Sequence, residues 1–128
     1  MEARIHPGVL LRDEVLPALG ISVTQAAVDL LITRQTLHRV LAGTAGVTAE
    51  MAVRLNRLTG VPAATWLRLQ EGCDLQRAET RLGDDVRRIP YRILPAELAD
   101  RIQRRARAAR PAMRVGQERR AVSFGATR

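Results

Sequence analysis

Residues 22–43, SVTQAAVDLLITRQTLHRVLAG, constrain this chain more than any other stretch. Ser22 is followed three residues later by Gln25, the spacing of a capping box that ties up the free N–H groups of a first helical turn. Ala26, Ala27, Leu30 and Leu31 then recur at helical spacing and predict one apolar face. Thr33 offers a second N-cap, and Leu37, Val40 and Leu41 form the apolar stripe of a second helix. Gly43 closes that helix as a residue free to take positive φ. Two short capped helices joined by a tight turn have the shape of a helix-turn-helix, whose second helix enters the DNA major groove.

The outward face of the second helix carries the chemistry such a role needs. At about 100° per residue, with Leu37 inward, Gln35 and Arg39 point almost straight out and Thr36 and His38 flank them. Arg34 lies nearer the core side, but in the first turn its long side chain reaches forward. Arg donates two hydrogen bonds to guanine O6 and N7, and Gln pairs with adenine N6 and N7. Arg34, Gln35, Thr36 and Arg39 are therefore the candidates for base edges, and Thr24, Thr33, His38 and Thr44 those for phosphates. The same residues would also suit the solvated face of a surface helix. The capped helix and short turn in front of them favour DNA.

Up to about residue 82 the rest of the pattern is helical as well. An opening helix is predicted from Pro7 to Leu16, with Pro17 ending it and Val9, Leu10, Val15 and Leu16 facing the core. Thr44 to Val47 forms a loop. Thr48 caps a fourth helix with Met51, Ala52, Leu55 and Leu58 inward and Arg54 and Arg57 outward. Gly60 stops it, and Pro62 starts a fifth helix to about Thr80, in which Trp66, Leu69 and Cys73 make one stripe with Leu67 and Leu75 beside it. Trp66 is expected in the core or at a dimer interface, with a ligand-anchoring role as the sharper alternative. The expected domains are a helix-turn-helix unit at 1–82, an extended linker at 83–94, a basic amphipathic helix at 95–110 and a disordered segment at 111–128.

Charge divides along the same boundary. The chain has 128 residues and a formal net charge of +8. Residues 1–82 hold nine Arg and eight acidic residues, a net +1, whereas residues 83–128 hold twelve Arg and five acidic residues, a net +7. The polyanion signature therefore belongs to the extension. An Arg-rich amphipathic helix of this kind fits DNA phosphates, an anionic membrane surface or an acidic partner, or simply a solvated surface. No apolar run approaches the ~20 residues of a membrane span, and no signal peptide is evident, so a cytoplasmic protein is expected. His6 and His38 lack companions at metal-ligand spacing, Cys73 has no activating base and no Gly-rich phosphate loop occurs. No catalytic residue, metal or cofactor is expected.

His6-Pro7-Gly8, the following Leu10-Leu11-Arg12-Asp13-Glu14 and Leu19-Gly20 resemble the opening of HigA-type antitoxins, members of the Cro/C1-type (XRE) helix-turn-helix superfamily. The likeness continues through Ser22, Thr24, Ala27, Leu30, Arg34 and Gly43, then Gly46-Val47-Thr48, Ala52, Arg54 and Leu55. It closes with Trp66-Leu67, Leu69-Gln70 and Asp74-Leu75, similar to the family's WLNLQ box. The resemblance implies an all-α, five-helix lambda repressor-like domain. It also implies a homodimeric autorepressor that binds its operator and neutralises a HigB/RelE-like mRNA endonuclease. A stand-alone regulator without a toxin is the alternative. Two departures bear on the DNA face. Val23 stands where the superfamily usually has a phosphate-gripping Gln, and Leu31 where the turn commonly has Gly. A different turn, or a strained one, is expected there.

Overall fold

The computed structural model describes residues 4–109, and every regular element among them is helical. Helix α1 spans 7–19 and opens on the His6-Pro7-Gly8 motif. The His6 ring caps it, Nδ1 accepting the Gly8 N–H at 2.9 Å, and Pro7 occupies the first turn, where no N–H is needed. Pro17 does not end this helix, contrary to expectation. Instead the segment Leu11–Val15 widens into a π-helical turn, with the Leu16 N–H reaching back to the Leu11 carbonyl. Proline lacks an N–H, and in α register its ring crowds the carbonyl four residues back; the wider turn makes room for it. The helix runs on to Leu19 and stops at Gly20, φ 69°.

The inward residues of α1 also differ from expectation. Pro7, Gly8, Leu11 and Leu16 are buried, whereas Val9, Leu10 and Val15 are only half-buried. Proximity to a later helix explains the choice. A Cβ built on Gly8 would stand 1.8 Å from the Val40 carbonyl oxygen, so only a bare glycine backbone lets α1 press this closely on the second motif helix.

Helices α2 (Val23–Leu30) and α3 (Arg34–Leu41) form the helix-turn-helix. Ser22 caps α2, its Oγ accepting the Gln25 N–H at 3.0 Å. The capping box is only half made, because the Gln25 amide donates to Asp29 (2.8 Å) rather than reaching back. Helix α4 (Ala49–Thr59) is capped by Thr48 and stopped by Gly60, and α5 (Ala63–Leu82) follows Pro62. Ala26, Ala27, Leu30, Leu37, Val40, Leu41, Met51, Ala52, Leu55 and Trp66 meet in one core with Leu11 and Leu16. Trp66 is 3% exposed and thus a core residue. Leu75 points away from the core instead and is 55% exposed.

Residues 83–94 are not uniformly extended. Gly83–Arg88 turn as a 3-10 helix, in which Arg87 pairs with Asp84 (3.4 Å) and Arg88 with Asp85 (3.6 Å), a three-residue spacing that suits its period. Regular structure then lapses until α6 (Ala96–Ala108). Leu98 and Ala99 on α6 are half-buried, whereas Ile102 is 53% exposed. A groove of about 500 Å³ separates Ala106 and Arg107 from Ala63, Ala64, Leu67, Arg68 and Glu71 of α5. Residues 111–128 of the expected disordered segment, and Arg110 of the expected basic helix, lie outside the described residues.

Candidate nucleic-acid interface

Helix α3 is amphipathic in the way recognition requires. Leu37, Val40 and Leu41 are buried, while Arg34, Gln35, His38 and Arg39 are exposed and Thr36 is half-buried. Three of the four base-edge candidates, Arg34, Gln35 and Arg39, are therefore presented to solvent from one two-turn helix. Thr36 is tied to the cap. The Thr33 hydroxyl accepts the Thr36 N–H (3.0 Å) and donates to Thr36 Oγ1 (2.8 Å), which leaves the Thr36 hydroxyl hydrogen to point onward.

The phosphate candidates separate on similar grounds. Thr24, in the first turn of α2, and His38 are exposed. The hydroxyl hydrogen of Thr33 is spent on Thr36, and that of Thr44 on the Arg39 carbonyl at 3.2 Å, so these two serve the ends of α3 rather than offering a donor outward. Val23 is half-buried at the start of α2.

Three features that the residue pattern did not disclose hold α3 in place. The close Gly8–Val40 approach seats it on α1. The His6 ring lies at van der Waals distance from the position a Gly43 Cβ would take, just past the end of α3. Burial, and after it the charge of Arg77, push the His6 imidazole below its usual range, with Asp74 opposing. His6 is thus neutral, as an Nδ1 acceptor must be. Gln70 of α5 is the third: its Oε1 accepts the Val47 N–H at 2.7 Å and its Nε2 donates to Asp74 at 2.9 Å, fixing the loop after α3. The sole signal for it in sequence is the Gln of the WLxLQ pattern, on the same helical stripe as Trp66 and Cys73.

The turn between α2 and α3 is strained rather than reshaped. Leu31 adopts φ 60° and ψ 42°, the one positive-φ residue other than glycine among the described residues. For a Leu this costs about 1–2 kcal/mol. Its side chain is 79% exposed instead of joining the apolar face of α2. Arg54 does not point outward either: it is half-buried and folds back onto this turn.

A two-turn helix capped by Thr33, seated by α1 and α5 and offering Arg, Gln and Arg to solvent, defines a helix-turn-helix DNA-recognition protein of the Cro/C1 class. No protein-family model matches the chain. It is 37% identical over 75 residues to virulence-associated protein I of Dichelobacter nodosus, a match covering 59% of this chain and 69% of the relative. Among solved structures it is similar to the antitoxin GraA in complex with its operator (34% identity, TM-score 0.66, 74% of this chain and 95% of that one). It is also similar to the Pseudomonas aeruginosa antitoxin HigA with the higBA promoter (32% identity, TM-score 0.66, 71% and 99%). The chain belongs to the HigA-type antitoxin family.

Proposed function

We propose that this chain is an antitoxin and autorepressor that binds the operator in its own promoter as a homodimer and neutralises a HigB/RelE-like mRNA endonuclease. The observation that carries the reading is the exposed face of α3, because it holds three bidentate base readers together on one rigid, capped helix. Arg34, Gln35 and Arg39 read base edges, and the Thr36 hydroxyl supports them. Thr24 and His38 touch phosphates, while Thr33 and Thr44 hold the ends of the helix. Two copies place their α3 helices about one DNA turn apart, ~34 Å, and read a palindrome. Toxin neutralisation rests on family membership. The chemistry is recognition, and no catalytic step is assigned to the chain.

Residues 4–82 form the DNA-reading unit, and the extension adds sequence-independent contacts. Arg101, Arg104, Arg105 and Arg107 fall within one half of the α6 circumference, and the extension carries most of the positive charge. Helix α6 thus strengthens binding without reading sequence.

Footprinting of the full chain on its own promoter, followed by mixing with any small protein encoded beside its gene, tests the proposal. A protected palindrome and loss of that protein's mRNA-cleaving activity are expected. Protection with no effect on any neighbouring gene product would leave a stand-alone regulator, and no protection would refute DNA recognition.

A further inference from the structure

The strained turn of the motif is held from outside by one side chain. Leu31 closes α2 with a left-handed reversal in which its N–H bonds Val28 O and the Ile32 N–H bonds Ala27 O, both at 3.1 Å. These bonds satisfy donors. The carbonyls of Leu30 and Leu31, at the negative end of the α2 dipole, are met by α4: Arg54 Nη1 donates to Leu30 O at 2.8 Å and to Leu31 O at 3.4 Å. Arg54 Nη2 is in turn bonded to Glu50 Oε2 at 2.8 Å, one turn back on the same helix, which aims the guanidinium. Thr33, the cap of α3, follows Leu31 by two residues, and Arg34 by three.

We propose that Arg54 is a positioning residue for DNA recognition, on the reading that α3 binds the operator: it clamps the Leu30 and Leu31 carbonyls and so sets the angle at which α3 leaves α2. A glycine at position 31 would hold this backbone unaided, because it meets no Cβ clash at positive φ. Leucine does not, so in this chain the geometry depends on the clamp. Base readout is sensitive to that angle, since bidentate bonds from Arg34, Gln35 and Arg39 tolerate little displacement, whereas phosphate contacts tolerate more. Arg54 needs no contact with DNA to act in this way.

The dependence makes an unusual prediction of rescue. Full-length chain is titrated by fluorescence anisotropy against its own promoter duplex and against a scrambled duplex of equal length, and the ratio of the two affinities is read. Arg54→Ala lowers that ratio about tenfold, the loss expected of one charge-assisted hydrogen-bond system. Arg54→Lys, a point charge without the fork, recovers part of it. Leu31→Gly alone leaves the ratio within about threefold of wild type, and Leu31→Gly with Arg54→Ala returns most of what Arg54→Ala lost. A double variant as poor as Arg54→Ala, or equal losses on both duplexes from Arg54→Ala, would overturn the proposal, the second result marking a direct phosphate contact. Wild type, the two single variants and the double variant are also unfolded in urea. Coupling between the two positions is expected in the midpoints, and independent effects would overturn the clamp. Wild-type protein that shows no promoter preference would instead refute the DNA reading, while the urea coupling still decides the clamp.

Discussion

The helix-turn-helix unit and the extension after it obey opposite rules. Between His6 and Cys73 lies every buried side chain among the described residues; beyond Leu82 none is buried. The first region builds a closed core, though Val28, Leu31, Val53 and Leu75 stay exposed, and it is nearly charge-neutral. The second exposes Ile89, Tyr91 and Ile93 (65%, 88% and 83%) and is strongly basic. Its order is local. Arg87 and Arg88 pair with acids three residues back, and α6 is Ala-rich with Glu97 in its first turn and Arg105 and Arg107 in its last, an arrangement that complements the helix dipole. The contrast teaches that packing holds the exposed face of α3 on the unit that is nearly neutral, while most of the positive charge sits on a region that packs little.

The contrast breaks first at Gly8 if it is wrong. Gly8→Ala forces a Cβ into the Val40 carbonyl, and a loss of at least ~3 kcal/mol, or no folded protein, is expected in urea unfolding. Leu55→Ala, at a position with no exposure, should cost about 2–5 kcal/mol, whereas Ile93→Ala should change stability by less than ~0.5 kcal/mol. Comparable losses at the two positions would show that the extension is packed after all. Replacing Arg101, Arg104, Arg105 and Arg107 together by Gln should make the salt dependence of promoter binding shallower, by up to about 0.9 for each phosphate no longer neutralised, with the promoter-to-scrambled ratio unchanged. A ratio that fell would place α6 among the sequence readers. The smallest effect is a pH dependence. His6 is held below its ordinary value of 6.5, so the unfolded chain takes up its proton first. The stability contributed by the neutral ring is full above about pH 6.5 and is lost as pH falls below it. His6→Asn, a cap that does not titrate, should remove that component from the urea midpoints between about pH 7 and 5, and an unaltered pH profile would remove His6 from the account.

Much of this was legible in the residues because the governing signals are local. Ser22, Thr33 and Thr48 cap as their side chains dictate, Gly43 and Gly60 take the positive φ they are suited to, and Leu37, Val40 and Leu41 turn inward on a 3.6-residue period. What escaped depends on distant partners. The π-helical turn at Leu11–Val15 answers a proline that local rules place at a helix end. Gly8 has no special φ, and its necessity comes from Val40, 32 residues away. Leu31 reads as a member of an apolar stripe by its spacing, and only the family likeness marked it as the turn; neither disclosed that Arg54 of α4 meets the carbonyls of Leu30 and Leu31 there. At the candidate interface, Arg34, Gln35 and Arg39 were visible from the helical wheel, whereas the roles of Thr33 and Thr44 depended on where their hydroxyl hydrogens go.

The central claim is that α3 reads base edges. Competition titration of wild type and Arg39→Ala, on the chain's own promoter and on a scrambled duplex at one fixed salt concentration, tests it most directly. Arg39→Ala should weaken promoter binding by about 1–3 kcal/mol and leave binding to the scrambled duplex nearly as it was. Equal weakening on both duplexes would contradict base readout and reduce Arg39 to a phosphate contact.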